Sequence, residues 1–319
     1  MMKTTIKSLL KYCIGFFYRI NPFFRLNLKN GLTVFVFHEV SDNPSEFTKR
    51  FGLALGVNQF KSHVEWINKN FNVINPELLI GSHPLPSNAA LITFDDGFAG
   101  AFNNAFPILD DLNMPSVMFM NMLPQTKHTP MLSALVIYLS HNSSTFKNFI
   151  NKFNFEKPAY LSVTPDIMHN FKLTNEMTEY SQIMEYQGDL VDAETMEFWD
   201  NCPNIYYGNH LYDHWNAAAL TEHDLEEQYI LNKMALDKFQ SSIDMFAFTN
   251  GKPQTCFSQR DINILEKLGA IKIFSSVQGV NEVSDSILLG RTFIDDLDTT
   301  ENHLWCRVGL SYSEKTKLN

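Results

Sequence analysis

Residues Leu91–Phe98 read LITFDDGF, an apolar run that ends in two adjacent carboxylates and a glycine. Carboxylates at the end of a buried strand lose hydration and repel each other, and a bound cation would offset both costs. Neighbouring side chains on a strand point to opposite faces, so Asp95 and Asp96 converge only where the backbone turns. Gly97 gives the backbone that freedom. The alternative is an aspartate pair that caps a helix predicted at Phe102–Leu112.

A pair of histidines follows another predicted strand. Residues Ile205–Asn216 read IYYGNHLYDHWN, which places His210 and His214 four positions apart. A helical turn, or a loop resembling one, brings such a pair onto one face, where both imidazoles can bind a single metal. In barrels of parallel strands the active site lies at the C-terminal ends of the strands. The two stretches together predict three metal ligands, two histidines and one carboxylate, with a fourth position open.

Short segments rich in Val, Ile and Phe predict seven strands. They are Leu32–Val40, Leu91–Asp95, Ser116–Met122, Ile205–Gly208, Met245–Thr249, Ile271–Val277 and Ile287–Ile294. Helical patterns between most of them favour an α/β fold with parallel strands, and seven strands in one domain favour a barrel. The roughly eighty residues Leu123–Pro203 contain no clear strand and are too many for a loop. We expect them to form a mostly helical insertion that covers or shapes the site.

The composition limits the classes of partner. The chain has 319 residues, 45 % hydrophobic and 19 % charged, which suits a large core. Its formal net charge of −10 argues against a nucleic-acid partner, because phosphate binding needs a basic surface. Four scattered cysteines, without a CxxC pair, predict free thiols in a reducing compartment. The sequence predicts no particular oligomeric state.

Residues 1–30 form a basic, apolar arm. Its longest apolar stretch, Tyr12–Tyr18, is too short to span a bilayer, and no small-residue cleavage site follows it. We therefore expect a cytoplasmic protein, with association at a membrane face as a further option. Two interpretations of the arm remain open. It makes peripheral contact with an anionic membrane, or it packs as a helix on the domain or on a partner.

The order TFDDG (93–97) then HxxxH (210–214) resembles the polysaccharide deacetylases, the NodB-homology domain of carbohydrate esterase family 4. The segments VFHEV (36–40), FPILDDLNMPSVMFMN (106–121) and FAFTNG (246–251) are also similar to segments of that family. The resemblance implies a distorted (β/α) barrel in residues 31–310, with the insertion at 123–203. The arm at 1–30 and a tail at 311–319 lie outside the barrel.

The resemblance also implies roles for individual residues. Asp96, His210 and His214 match the ligands of one divalent metal, most often zinc, and Asp95 matches the general base. The implied function is a metal-dependent hydrolase that removes N-acetyl groups from an N-acetylated glycan or glycan precursor. The alternatives are a non-catalytic saccharide-binding or assembly protein that retains the metal site, and a metallohydrolase of a non-sugar amide or ester. No residue is assigned to substrate binding.

The proton donor is where this sequence departs from the family pattern. Many members carry a late histidine, but the matching segment Leu288–Phe293 reads LLGRTF. His38, at the end of the first strand, is the candidate general acid, with a structural histidine bonded to nearby backbone as the alternative. We expect His303 at the surface. The family's arginine of the third motif has no match, and Thr249 and Trp215 stand where prolines are common.

Overall fold

The computed structural model describes residues 2–81, 84–174, 180–282 and 286–313. The strands are β1 Gly31–Phe37, β2 Glu39–Val40, β3 Ala54–Leu55, β4 Asn72–Val73, β5 Ala89–Asp95, β6 Ser116–Met120, β7 Ile205–Asn209, β8 Ser242–Ala247, β9 Lys272–Ser275, β10 Val280–Glu282, β11 Leu288–Gly290 and β12 Thr292–Phe293. The helices are α1 Met2–Ile20, α2 Pro22–Lys29, α3 Glu46–Phe51, α4 Val57–Asn70, α5 Phe106–Asp111, α6 Met122–Lys127, α7 Leu132–Asn142, α8 Ser144–Ile150, α9 Pro165–Thr174, α10 Tyr180–Gln187, α11 Ala193–Asp200, α12 Glu222–Leu236, α13 Gln259–Lys267 and α14 Glu301–Ser313.

The main sheet is a nearly closed barrel. Its strands follow the order β10-β1-β5-β6-β7-β8-β9-β11, and all neighbours from β1 to β11 are parallel. β10 is antiparallel to β1, and β4 adds to β5 in parallel. The predicted distorted (β/α) barrel of seven parallel strands is confirmed. β4 lies at Asn72–Val73, where the resemblance also implies a strand, whereas β10 was not predicted, because it is short and lacks the apolar run of the barrel strands.

The predicted last strand is divided into two pieces that close the barrel. β11 pairs with β9, whereas β12 pairs with β1, so the chain crosses from one edge of the sheet to the other. Arg291 stands between the two pieces. The side-chain amide of Asn281 joins the edges, since it donates to the carbonyl oxygens of Leu32 at 3.2 Å and Gly290 at 2.9 Å. We call this crossing the seam.

The segment between β6 and β7 is helical, as predicted, and contains α6 to α11. The interior of this part is apolar, because α7 buries most of its side chains and packs with helices α8 and α10. Two backbone bonds tie the end of the segment to the loop after β5. Val191 N–H donates to the Gly97 carbonyl at 2.9 Å, and Ala99 N–H donates to the Asp189 carbonyl at 2.9 Å.

The helix after β5 differs from the predicted one. Residues Ala101–Ala105 form a π-helical turn, and regular α-helix begins only at Phe106. Pro107 explains the change, because proline has no N–H to donate to the preceding turn of a regular helix. No side chain caps the start of this turn, so the capping role considered for the aspartate pair is not observed.

The arm covers one side of the barrel by packing α1 along α14. His303 is buried in this contact, with 4 % of its surface exposed, and its Nε2 lies 3.1 Å from the Ser8 carbonyl oxygen. The predicted surface position of His303 is therefore wrong, since the sequence did not reveal that α1 covers α14. None of the described helices is both long enough and apolar enough to cross a bilayer. All four cysteines are free thiols.

Candidate metal centre

The aspartate pair lies where β5 ends and the backbone turns. Asp96 and Gly97 have φ angles of 73° and 76°, both in the left-handed region. Aspartate tolerates that region better than most residues, and glycine adopts it freely. A Cβ atom on Gly97 would also lie 2.7 Å from Cε of Met120. The positive φ angle is the main reason for glycine at this position, because the end of the flexible Met120 side chain could move to admit a Cβ atom. The turn directs Asp95 and Asp96 into one pocket.

The histidine pair lies in a loop after β7, not on a regular helix. The His210 N–H donates to the Met120 carbonyl at 3.1 Å, which extends the pairing of β6 with β7 by one residue. Leu211 and His214 then have φ angles of 62° and 40°, so the chain bends twice within four residues. These bends bring the two imidazole rings to a centroid distance of 5.3 Å.

The three predicted ligands meet at the end of the barrel. Asp96 Oδ1 lies 3.1 Å from Nε2 of His214 and 3.5 Å from Nε2 of His210. Each of the three residues offers one potential ligand atom, and these three atoms lie within 4.8 Å of one another. All three residues are buried. This spacing is compatible with a single cation bound by two imidazole nitrogens and one carboxylate oxygen.

The polar atoms of this cluster fit a metal. Asp96 Oδ1 is buried and accepts no hydrogen bond, although burying a carboxylate oxygen without a partner is costly. The Nδ1 of His210 lies 2.7 Å from the Ala247 carbonyl oxygen, so that nitrogen carries the proton and Nε2 presents its lone pair. Burial tends to raise the pKa of Asp96, but the nearby imidazoles of His214 and His210 hold that pKa well below its usual value.

Side-chain amides hold the histidine loop in place. Asn121 donates to the carbonyl oxygens of His210 and Leu211. Asn209 accepts from the Leu211 N–H at 2.9 Å and from the Asn232 amide at 2.9 Å. Asn232, which interrupts the apolar stripe of α12, also donates to the Met120 carbonyl at 2.8 Å. These bonds satisfy backbone groups that the irregular loop leaves unpaired.

Asp95 forms an ion pair that was not predicted. Arg291, in the seam, donates to Oδ1 and Oδ2 of Asp95 at 2.6 and 2.7 Å, and only 3 % of its surface is exposed. Burial raises the pKa of Asp95, but the charge of Arg291 outweighs it, so the pKa is lowered overall. The third motif of the family still has no matching arginine in this sequence, but Arg291 contacts the aspartate from the segment where a late histidine was expected.

His38 lies at the same end of the barrel as the aspartates. Its Nε2 is 3.9 Å from Asp95 Oδ2, and its ring meets the ring of Phe293 edge-on at 5.9 Å. Its Nδ1 is buried without a hydrogen-bond partner, so the backbone bonds considered as its structural role are not observed. Burial lowers the pKa of His38, although the charge of Asp95 acts in the opposite direction.

A pocket of about 300 Å³ contains these residues. Its floor is polar and is formed by His38, Asp95, Asp96, His210, His214 and Arg291. Its walls are largely apolar and include Phe47, Phe51, Ile137, Tyr160, Phe248 and Phe293. Two of these, Ile137 and Tyr160, come from the helical insertion, and the Tyr160 ring contacts that of Phe51 at 6.5 Å. The insertion therefore lines the same pocket as the three candidate metal ligands.

The two positions that depart from the family pattern contact each other. The Thr249 hydroxyl donates to the Trp215 carbonyl oxygen, and both residues are buried. Proline at position 249 could not make this bond, because it has no hydroxyl group. The bond connects the loop after β8 with the histidine loop, next to His214. Thr249 and Trp215 therefore form one local contact, which holds the histidine loop against the loop after β8.

No family model matches the chain. The solved structures of IcaB from Ammonifex degensii and of a de-N-acetylase from Aggregatibacter actinomycetemcomitans are similar in fold. Their TM-scores are 0.58 and 0.57, both at 16 % sequence identity. They cover 88 % and 87 % of this chain and 98 % and 99 % of their own. These similarities show the fold of the chain.

Two curated relatives are similar in sequence over a shorter stretch. YxkH of Bacillus subtilis strain 168, named provisionally as a polysaccharide deacetylase, is 28 % identical over 94 residues, 28 % of this chain and 31 % of that protein. The poly-β-1,6-N-acetyl-D-glucosamine N-deacetylase of Escherichia coli K12 is 28 % identical over 93 residues, 28 % of this chain and 13 % of that protein. The match thus spans less than a third of either relative. Both curated relatives and the Aggregatibacter structure are named as deacetylases, and this chain is similar to them in part of its sequence and in its fold.

Proposed function

We propose that the protein is a metal-dependent hydrolase that removes N-acetyl groups from an N-acetylated glycan or glycan precursor. The observation that carries the proposal is the cluster of Asp96, His210 and His214 on the floor of a pocket, beside the arginine-paired Asp95. Deacetylation of an amide needs an activated water, a polarised carbonyl and a proton for the leaving amine. Each requirement has a candidate residue or ligand here.

Asp96, His210 and His214 would hold the cation. A divalent metal there supplies a Lewis acid that polarises the acetamide carbonyl and acidifies water. Two imidazoles and one carboxylate suit zinc, which we propose as the metal. Asp95 is ionised beside Arg291, so its carboxylate can take a proton from the attacking water. Both of its oxygens keep free lone pairs despite the bonds from Arg291.

His38 is the residue that we propose as the general acid. It lines the pocket, and its Nε2 is on the side of Asp95. Among the pocket residues only His38, His210 and His214 carry an imidazole, and the last two are assigned to the metal. His38 would give its proton to the amine nitrogen as the carbon–nitrogen bond breaks.

The walls of the pocket support a saccharide substrate. Sugar rings present apolar C–H faces, and Phe47, Phe51 and Tyr160 provide flat apolar surfaces above the polar floor. The Escherichia coli relative is named for a polymer of β-1,6-linked N-acetyl-D-glucosamine. We propose an N-acetylated amino sugar of this kind, as polymer or precursor, as the substrate of this chain.

We also propose that residues 31–310 act as one domain and that residues 123–203 are an insertion serving its site. Ser133, Ile137 and Tyr160 of the insertion line the pocket. The backbone bond from Val191 to Gly97 holds the end of the insertion against the aspartate turn. These contacts support a segment that packs on the barrel and forms part of its pocket.

An acetate-release assay tests the function. Purified protein with added Zn²⁺ is mixed with β-1,6-linked N-acetylglucosamine oligosaccharides, and released acetate and new amines are measured together. We expect equal amounts of both, and none with Asp96→Asn. Binding of the oligosaccharide without acetate release would support the alternative, a saccharide-binding or assembly protein. Acetate release that Asp96→Asn leaves unchanged would exclude the proposed site.

A further inference from the structure

Helix α1 has two faces with different surroundings. One face packs closely on α14, because a Cβ atom on Gly15 would overlap the carbonyl oxygen of Asn302, and one on Gly309 would overlap the ring of Tyr18. The side chains of Phe24 and Leu28 in α2 are buried as well. The arm is therefore docked on the barrel, and its other face has a fixed direction.

The other face of the arm is apolar and exposed. Six large apolar side chains of α1 are 51–63 % exposed, those of Ile6, Leu9, Leu10, Phe16, Phe17 and Ile20. At 100° per residue these positions fall within an arc of about 120°, a single stripe. α2 continues it with Phe23 and Leu26, which are 78 % and 57 % exposed. We call these eight residues the arm stripe. Monomeric soluble proteins rarely expose so many neighbouring apolar side chains.

The charge of the arm contrasts with that of the remaining chain. Residues 1–38 contain six Lys and Arg residues and no Asp or Glu. Since the whole chain carries −10, the remainder carries −16. Lys11 and Arg19 lie 3.8 and 3.6 Å from Asp298 and Glu301, and Arg25 lies over the ring of Trp305. A basic segment that exposes an apolar stripe is complementary to an anionic lipid surface, and it would repel the same segment of a second copy.

We propose that the arm stripe inserts into the surface of an anionic phospholipid bilayer and holds the barrel against it. The stripe enters the boundary between headgroups and acyl chains, and the positive charge of the arm attracts it to the anionic surface. α1 lies along the surface and does not span it, in line with its length and composition. The proposal does not depend on deacetylation, because none of its residues lines the pocket.

Sedimentation with vesicles tests the proposal. Vesicles of phosphatidylcholine alone are compared with vesicles in which a quarter of the lipid is phosphatidylglycerol. The variants are the double change Phe16→Glu with Phe17→Glu, and Phe23→Glu alone. The matched control is Phe198→Glu on α11, since Phe198 is 69 % exposed on a different part of the surface. Melting temperature verifies that each variant is folded.

We expect the wild type and Phe198→Glu to bind anionic vesicles at least about 10-fold more tightly than neutral ones, and less tightly at high salt. The double variant and Phe23→Glu should each lose at least about 10-fold of that binding. Equal binding by wild type and both arm variants would overturn the proposal. So would a stable dimer, seen by analytical ultracentrifugation without lipid, that the double variant abolishes. If the double variant does not fold, the vesicle binding of Phe23→Glu compared with that of the wild type decides the test.

Discussion

Both terminal nitrogens of Arg291 donate to the two carboxylate oxygens of Asp95, at 2.6 and 2.7 Å, although the residues lie 196 positions apart. The pair is buried, and the Arg291 guanidinium also lies 5.7 Å from the centroid of the Phe119 ring. Such a two-point bond fixes the plane of the carboxylate and also keeps the carboxylate ionised. Arg291 therefore orients Asp95 beside the proposed metal ligands, and it connects the barrel seam to the pocket.

Two substitutions at Arg291 test its two-point bond to Asp95 and its positive charge separately. Arg291→Lys keeps the positive charge but loses the two-point bond, so we expect kcat to fall about 10- to 100-fold while bound metal is retained. Arg291→Gln leaves a buried carboxylate without a countercharge and should destabilise the fold by about 3 kcal/mol. Kinetics and urea unfolding measure the two effects. The control is Arg260→Lys, because Arg260 also pairs with a carboxylate but lies outside the pocket. Wild-type kcat in Arg291→Lys would contradict the orienting role.

His38→Gln tests the proton donor. Glutamine retains hydrogen bonding but cannot titrate, so turnover should fall by about 10²-fold with metal content unchanged. The control is His63→Gln, because His63 is a buried histidine outside the pocket, and its Nε2 bonds to the Asp298 carbonyl. If the two variants have similar turnover, His38 is not the general acid. A fall in melting temperature alone would point to a structural role.

Asn232→Leu tests whether the amide network positions the metal ligands. The change removes one donor each from Asn209 and the Met120 carbonyl and leaves the buried Met122 N–H without its acceptor, which should destabilise the fold by about 1–3 kcal/mol. Because Asn209 in turn bonds the histidine loop, metal affinity should fall about 10- to 100-fold. Chelator competition measures the affinity, and Asn263→Leu on the exposed face of α13 is the control. Unchanged affinity together with lower stability would show that the network supports only the fold.

The stability of the fold should decrease in mild acid. Burial lowers the pKa of His63, although the bond to the Asp298 carbonyl acts in the opposite direction. As pH falls below 6.5, the unfolded chain therefore binds a proton at this position before the folded chain does, and the free energy of unfolding decreases. One such group contributes at most about 1.4 kcal/mol per pH unit. Urea unfolding between pH 7.5 and 5 should show a smaller decrease for His63→Gln; an identical slope would refute the assignment.

The sequence was sufficient for the parts of the site that depend on neighbouring residues. A strand that runs into Asp95, Asp96 and Gly97 has to turn there, and the spacing of His210 and His214 limits how far apart their rings lie. Both follow from local geometry. The positions of the parallel strands follow from the alternation of apolar runs and helical patterns, for the same reason.

Contacts between distant segments were not predictable in this way. Arg291 and Asp95 meet only because the last strand divides and crosses the seam, which no local pattern records. One signal was available: a lone arginine in the apolar run LLGRTFI needs a buried carboxylate partner. His303 was misplaced for a similar reason, because its burial depends on the docking of α1.

The metal content of the purified protein tests the central claim most directly. Elemental analysis after exposure to Zn²⁺ and removal of free metal should find about one ion per wild-type chain. His210→Ala, His214→Ala and Asp96→Asn should each retain less than about a tenth of that, since each removes one of three ligands. Asp95→Asn should keep the metal and lose activity, because a base acts on the proton and not on the ion. Full occupancy in the three ligand variants would contradict the account.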